Sequence, residues 1–218
     1  GYVDSDINYS VVDWLLELKK TLSQTELKNK IPILVGGSGL YINAVINGLV
    51  NIPLISKTIK NQSLIKFNEV GIEKFRQINF QIDPRYMQNN NDKHRLLRAY
   101  GIFLQTKKNI SFWYQQPRVK TVNKNIYSFF ITSERKSIYK KCEIRFEDML
   151  AKGAIYEVKK LHNSNIDRSL PISKSLGVKW LLSYLDNNIS YEEAVKLSKR
   201  DTRRYVKRQF TWFAHNYI

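Results

Sequence analysis

Two spacings of apolar and polar residues alternate along this chain, and most of its length follows the helical one. Ser10 is suited to capping, and Val11, Trp14, Leu15 and Leu18 follow at helical spacing with Asp13 in the first turn. A polar Lys/Asn stretch leads to Pro32, after which the apolar run Ile33-Leu34-Val35 predicts a short buried strand. Leu40 to Asn47 predicts a helix that Gly48 stops as a C′ glycine. From about Asn51 to Pro117 strand patterns vanish. There Leu96, Leu97, Tyr100, Phe103 and Leu104 fall on one helix face, with Arg95 and Arg98 toward its polar side. Ile126 to Ile131, rich in aromatic and β-branched residues, predicts a second strand. A long helix follows with Ile138, Cys142, Met149 and Leu150 facing inward and Gly153 at its end. Shorter helices carry Val158 with Leu161, and Trp180, Leu181, Tyr184 and Leu185. The sequence Ser190-Tyr191-Glu192-Glu193 forms a capping box and opens a last helix running to Phe213.

This pattern divides the chain into a first core part over 1–52, a helical insertion over 53–117 and a second core part over 118–218. The fold class is α/β with a mostly helical insertion domain. Two strands do not complete an α/β sheet, and the chain opens at Gly1 without an initiator Met. The remaining strands are therefore expected to precede Gly1.

The first candidate for chemistry lies between the first strand and its helix, at Gly36-Gly37-Ser38-Gly39. Unpaired backbone N–H groups at such a turn, together with the helix dipole, suit a phosphate. Glycines also build ordinary strand-to-helix loops, so both readings stand. No GxxxxGK[ST] or GxGxxG segment is present.

Charge changes the picture more than size does. Lys and Arg number 36 against 19 Asp and Glu, a formal net charge of +17. Some of this is a drift toward Lys, given the abundance of Lys, Asn and Ile. The arginines, however, cluster at Arg95 with Arg98 and again at Arg200, Arg203, Arg204 and Arg208. Arginine forks grip phosphates bidentately, so a nucleic-acid partner is expected. The single Cys142 leaves no internal disulfide or cysteine metal cluster, and three scattered histidines show no ligand spacing. No apolar run approaches a membrane span and no signal peptide is present, so a cytoplasmic protein with no membrane partner is expected.

Two further features carry charge in specific places. Arg145 lies seven residues after Ile138, three after Cys142 and four before Met149, which predicts a place on the apolar helix face. An unpaired guanidinium there would cost several kcal/mol, so it needs an anion, either an internal carboxylate or a bound phosphate. Near the C-terminus, Arg200, Arg204 and Arg208 form one stripe and Arg203 with Lys207 another, interleaved with Tyr205, Phe210, Trp212 and Phe213. Such a helix suits a nucleic-acid backbone with unstacked bases, or it is a solvated face with its aromatics in the core.

In order along the chain, these segments resemble the bacterial tRNA dimethylallyltransferases. Val35 to Ala44 resembles the family's GGTGLY-type segment, and Asp92 to Ala99 its D-x-x-R-x-x-RA segment. Arg145, Met149, Gly153, Glu157-Val158 and Leu161 follow its R-x-x-x-M…G…EV…L pattern. Ser175-Leu176-Gly177, Ser183-Tyr184-Leu185 and Thr202 to Phe213, with its KRQ-x-TWF ending, complete the set. The resemblance implies a P-loop NTPase-like core and transfer of a dimethylallyl group from dimethylallyl diphosphate, with Mg²⁺, to N6 of adenosine 37 in tRNAs reading codons that start with U. The target base is flipped from the anticodon stem-loop into a channel, because N6 is otherwise unreachable.

By the same resemblance Ser38 stands where the family usually has a threonine near the reacting centre. Gly36, Gly37, Ser38, Gly39 and Arg145 would meet the diphosphate, Arg145 stabilising it as it leaves. The implied tRNA contacts are Ser38, Lys60, His94, Arg95, Leu96, Leu97 and Arg98; then Lys174, Ser175, Leu176, Gly177, Val178 and Lys179; and in the last helix Arg203, Lys207, Arg208, Gln209, Thr211 and Trp212. No metal ligand is expected within this chain, and a monomer is expected. Gly101 stands for a usual Glu at a helix cost of about 1 kcal/mol, and Val178 for a usual Tyr. The family's GPTASGK[ST] loop and its DS-x-Q segment, whose Asp is the general base, would lie before Gly1. The chain as given is therefore expected not to turn over alone. Other readings are a non-catalytic tRNA-binding remnant and a small nucleotide kinase; Arg145 and the tRNA-contact segments argue against the kinase.

Overall fold

A computed structural model describes residues 2–24, 30–88, 90, 92–122 and 125–216, so the polar stretch before Pro32 lies partly outside the described residues, as does Gly1. The chain divides into two compact units, one of Gly1–Asn43 with Lys124–Ile218 and one of Ala44–Asn123. No helix among the described residues is long and apolar enough to cross a membrane.

In the first unit, α1 (Val11–Leu22) starts at Ser10, whose Oγ accepts the Asp13 amide while Asp13 accepts the Ser10 amide. Helix α2 (Gly39–Asn47) follows the glycine turn and crosses into the second unit. There β1 (Leu49–Val50) pairs antiparallel with β2 (Arg118–Val119), so residues on either side of 53–117 belong with the helical unit. Between these strands lie α3 (Lys57–Ile82), broken at Gly71, then α4 (Pro84–Met87), α5 (Lys93–Thr106) and α6 (Ile110–Tyr114). Their core is Phe75, Tyr86, Met87, Leu96, Ala99, Ile102 and Ile110. Phe75 meets the Phe67 and Tyr100 rings edge-on at 5.3 and 5.0 Å. The buried Asp83 carboxylate ties α4 to α6 by accepting the amides of Tyr86 and Ser111 and the Ser111 hydroxyl.

The first unit resumes with α7 (Arg135–Ala151), α8 (Ala154–Asn163), a 3-10 turn over Pro171–Lys174, α9 (Val178–Leu185) and α10 (Tyr191–Asn216). Val158, Leu181, Leu182 and Ala194 form a core where α8, α9 and α10 meet. Gly48 and Gly153 both take positive φ, as helix-stopping glycines should.

Both predicted strands are corrected. Neither Ile33-Leu34-Val35 nor Ile126 to Ile131 is a strand, and most of their side chains are largely exposed; Val35 and Ile131 are each 93% exposed, while Phe130 packs on another ring. A strand needs a hydrogen-bonding neighbour, and among the described residues nothing pairs with either segment. The described chain is thus mostly helical, with one two-stranded sheet.

Candidate active site and nucleic-acid interface

The glycine turn is held from behind by α10. Gln209 Nε2 donates to the Gly37 carbonyl at 2.8 Å, and a methyl placed on Gly39 would collide with the Trp212 indole. Ser38 sits between these two contacts, and its carbonyl accepts the Ile42 amide at 3.1 Å, the first bond of α2. Gly36 has open space where a side chain would go. One side of the turn is therefore packed and the other free, at a helix N-terminus whose dipole favours an anion.

Arg145 is not on a buried face, which corrects the expectation from spacing. It is exposed and makes no ion pair among the described residues. The buried residue of α7 is Phe146. Glu143 and Glu147, two residues to either side, pair with Arg203 and Lys199 of α10. Two residues along a helix is about 200° around it, so Arg145 projects away from α10. An exposed guanidinium needs no internal anion.

Arg203 is accordingly engaged with Glu143. Lys207 is exposed without an ion pair among the described residues, and Arg208 lies over the Tyr205 ring at 5.7 Å. Thr211 is exposed and its hydroxyl donates to the Lys207 carbonyl at 3.0 Å. Phe213 is buried and stacks on Phe130 at 4.9 Å, and Phe210 lies under the Arg135 guanidinium at 5.5 Å. These two rings serve packing rather than open stacking.

Lys174 to Lys179 borders a cleft of about 720 Å³. Its lining includes Lys174, Leu176, Lys179, Arg204 and Arg208 with Arg168, Asp186 and Asp201; five cations face two carboxylates. Gly177 turns the chain into α9 at φ +84°, and an added Cβ would stand 2.9 Å from Phe146, so only glycine fits. The Ser175 hydroxyl bonds the Pro171 carbonyl, and Val178 packs into the helical core.

Several residues here were not singled out from the sequence. Arg168 reaches both oxygens of Asp186 at 3.0 and 3.2 Å, and His162 Nε2 is 2.8 Å from the same carboxylate. The Trp180 indole donates to Asp201 at 2.7 Å, with Lys179 and Arg200 over its ring. Partial burial pushes the Asp201 carboxyl up, but the Trp180 donor, Arg200 and Arg204 outweigh it and hold the group below its ordinary value. The only sequence signal was a lone Asp amid arginines.

In the other unit Lys60, His94, Arg95 and Arg98 are exposed. Leu96 is fully buried, so its side chain is closed to a ligand, and Leu97 is half-buried against the same core. Arg95 pairs with Asp92 at 3.2 Å and donates to Asn90 at 2.6 Å. Burial pushes the nearby Tyr86 hydroxyl up to about 12, with Arg95 and Arg98 pulling the other way. Among the described residues no three His, Cys, Asp or Glu side chains gather as a metal-binding group.

Residues 1–216 match the family model described as IPP transferase. The chain belongs to the IPP transferase family. It is 37% identical to the tRNA dimethylallyltransferase of Ehrlichia ruminantium over 218 residues, all of this chain and 73% of that protein. It is 38% identical over 221 residues to the tRNA dimethylallyltransferase of a Wolbachia from Drosophila simulans, covering 74% of that protein. Among solved structures, the full-length tRNA isopentenylpyrophosphate transferase of Bacillus halodurans aligns with TM-score 0.64 at 29% identity, over 99% of this chain and 67% of that one. A eukaryotic dimethylallyltransferase acting on tRNA aligns with TM-score 0.78 at 22% identity over 98% of this chain and 55% of that one, a likeness of fold. This IPP transferase chain thus spans about three quarters of the length of these curated relatives.

Proposed function

We propose that this protein is a tRNA dimethylallyltransferase, moving a dimethylallyl group from dimethylallyl diphosphate to N6 of adenosine 37 in tRNAs that read codons starting with U. The observation that carries the reading is the family match over residues 1–216. The relatives that match across the whole chain carry an enzyme's name, which favours catalysis over a binding remnant.

The chemistry is a displacement. A bond forms between N6 and the allylic carbon, the carbon–oxygen bond breaks, and diphosphate leaves with the electron pair while N6 loses a proton. Developing charge on the leaving group calls for preorganised donors. The Gly36–Gly39 turn at the start of α2 supplies such a place, with the Ser38 hydroxyl beside it. A part for Arg145 rests on the family resemblance, aided by its having no ion pair among the described residues. A Mg²⁺, implied by the family resemblance, would when bound offset the negative charge of the leaving diphosphate.

For the tRNA, the cleft beside Lys174 and Lys179, with Arg208 and with Lys207, which makes no ion pair among the described residues, offers cations to a phosphate backbone. Lys60, His94, Arg95 and Arg98 offer more on the other unit. We take the core to be P-loop NTPase-like and the protein to act as a cytoplasmic monomer.

The test uses the gene product expressed from its own start codon, with labelled dimethylallyl diphosphate and an anticodon stem-loop carrying adenosines at 36, 37 and 38. Label on N6 of adenosine 37, lost when guanosine replaces that base, is expected. No label on the stem-loop would overturn the assignment.

A further inference from the structure

We infer that Gln209 and Trp212 act as positioning residues that hold Ser38 in place, rather than as direct tRNA contacts. The catalytic meaning of this rests on the function proposed above. The two side chains are three residues apart on α10 and therefore share a face. They meet the turn on either side of Ser38: Gln209 donates to the Gly37 carbonyl at 2.8 Å, and the Trp212 ring covers Gly39.

Neither approach is open to a turn with larger side chains. A Cβ at Gly37 would strike the Gln209 amide, and one at Gly39 the Trp212 ring. The turn is thus glycine-rich in part because a helix lies against its back. That account leaves Gly36, which faces open space, for a ligand. Trp212 and Gln209 are half-buried, whereas Lys207, about 160° around the helix from Gln209, is exposed. One helix segment therefore does two jobs, with a cation outward and a brace inward. A shift of about 1 Å in a reacting group can cost roughly a hundredfold in rate, so such a brace acts on turnover more than on binding.

The experiment compares Gln209→Met, which keeps bulk and removes the donor, with Gly39→Ala and the double variant Gly39→Ala/Trp212→Leu. In Gln209→Met, kcat should fall about tenfold or more while KM for the stem-loop stays within about twofold, as expected for impaired positioning. Gly39→Ala should lose activity similarly, and the double variant should recover part of it by relieving the collision. Hydrogen exchange of the 36–40 amides should rise in Gln209→Met with the global Tm unchanged. Weaker stem-loop binding at unchanged kcat would overturn the inference in favour of a direct tRNA role. Unchanged exchange at 36–40 would overturn it as well. If the wild-type protein transfers no prenyl group, the proposed function fails, and the exchange measurement still decides whether the brace exists.

Discussion

Two segments, one in each unit, place their aromatic residues in opposite ways. Phe75, in the helical unit, is fully buried between Phe67 and Tyr100. Phe129, in a segment of equal apolar character in the other unit, is 89% exposed. The difference lies in what each pattern needs. An amphipathic helix satisfies its own backbone and requires only one apolar surface to cover it, which α3 and α5 provide for each other. A β-type segment also needs a neighbouring backbone, and among the described residues neither 33–35 nor 126–131 has one.

The largest effect should come from cutting this contrast directly. Phe75→Ala should destabilise its unit by about 3–5 kcal/mol, through reduced burial and the cavity left behind. Phe129→Ala should change stability by no more than about 0.5 kcal/mol. Urea unfolding followed by hydrogen exchange resolved for each unit would measure both. Equal costs would mean that Phe129 is covered in solution.

The same contrast explains what was legible in the sequence. The helix carrying Leu96, Leu97, Tyr100, Phe103 and Leu104, the Ser10 and Ser190 caps and the Gly48 stop depend on near neighbours and are present, although the face that helix buries runs through Leu96, Ala99 and Ile102, with Leu97 and Tyr100 beside it and Phe103 and Leu104 only half-buried. Arg145 was misplaced because the face of α7 turned to α10 is not apolar; it carries Glu143 and Glu147 against Arg203 and Lys199. Gly101 looked like a plain helix cost. It is buried where an added Cβ would stand 3.3 Å from both Ile55 Cδ1 and Ser63 Oγ, so it allows α5 to approach α3 closely. The brace of Gln209 on Gly37 joins residues 172 apart, and no local pattern announces such a pair.

A second effect sharpens the comparison through charge. Both units present cations that are expected to meet tRNA, Arg98 in one and Lys207 in the other. Charge reversal at either should remove about 0.7 to 0.9 unit from the log–log salt slope of stem-loop binding for each phosphate the side chain no longer neutralises. The two reductions should add. Arg203→Glu should change the slope less, because Glu143 already engages that guanidinium, and should instead weaken the packing of α7 on α10. A slope unchanged by Lys207→Glu would remove the outer face of α10 from the interface.

The smallest effect concerns Asp201, where the first unit joins an indole to a charge cluster. Its carboxylate accepts the Trp180 indole and faces Arg200 and Arg204, with 26% of the side chain exposed. The folded-state value lies below the ordinary one, so folding favours the ionised form. That stabilisation is fully present above the unfolded value, about 3.9, and is lost as pH falls through the lower folded value. Asp201→Asn keeps an acceptor for Trp180 but cannot ionise. It should therefore be less stable than wild type at pH 7 and show a shallower loss of stability on acidification below about pH 4, where the wild-type carboxylate takes up its proton. Acid titration of unfolding free energy for the two proteins measures this. Parallel acid limbs would mean that the arginines around Asp201 add nothing beyond the indole bond.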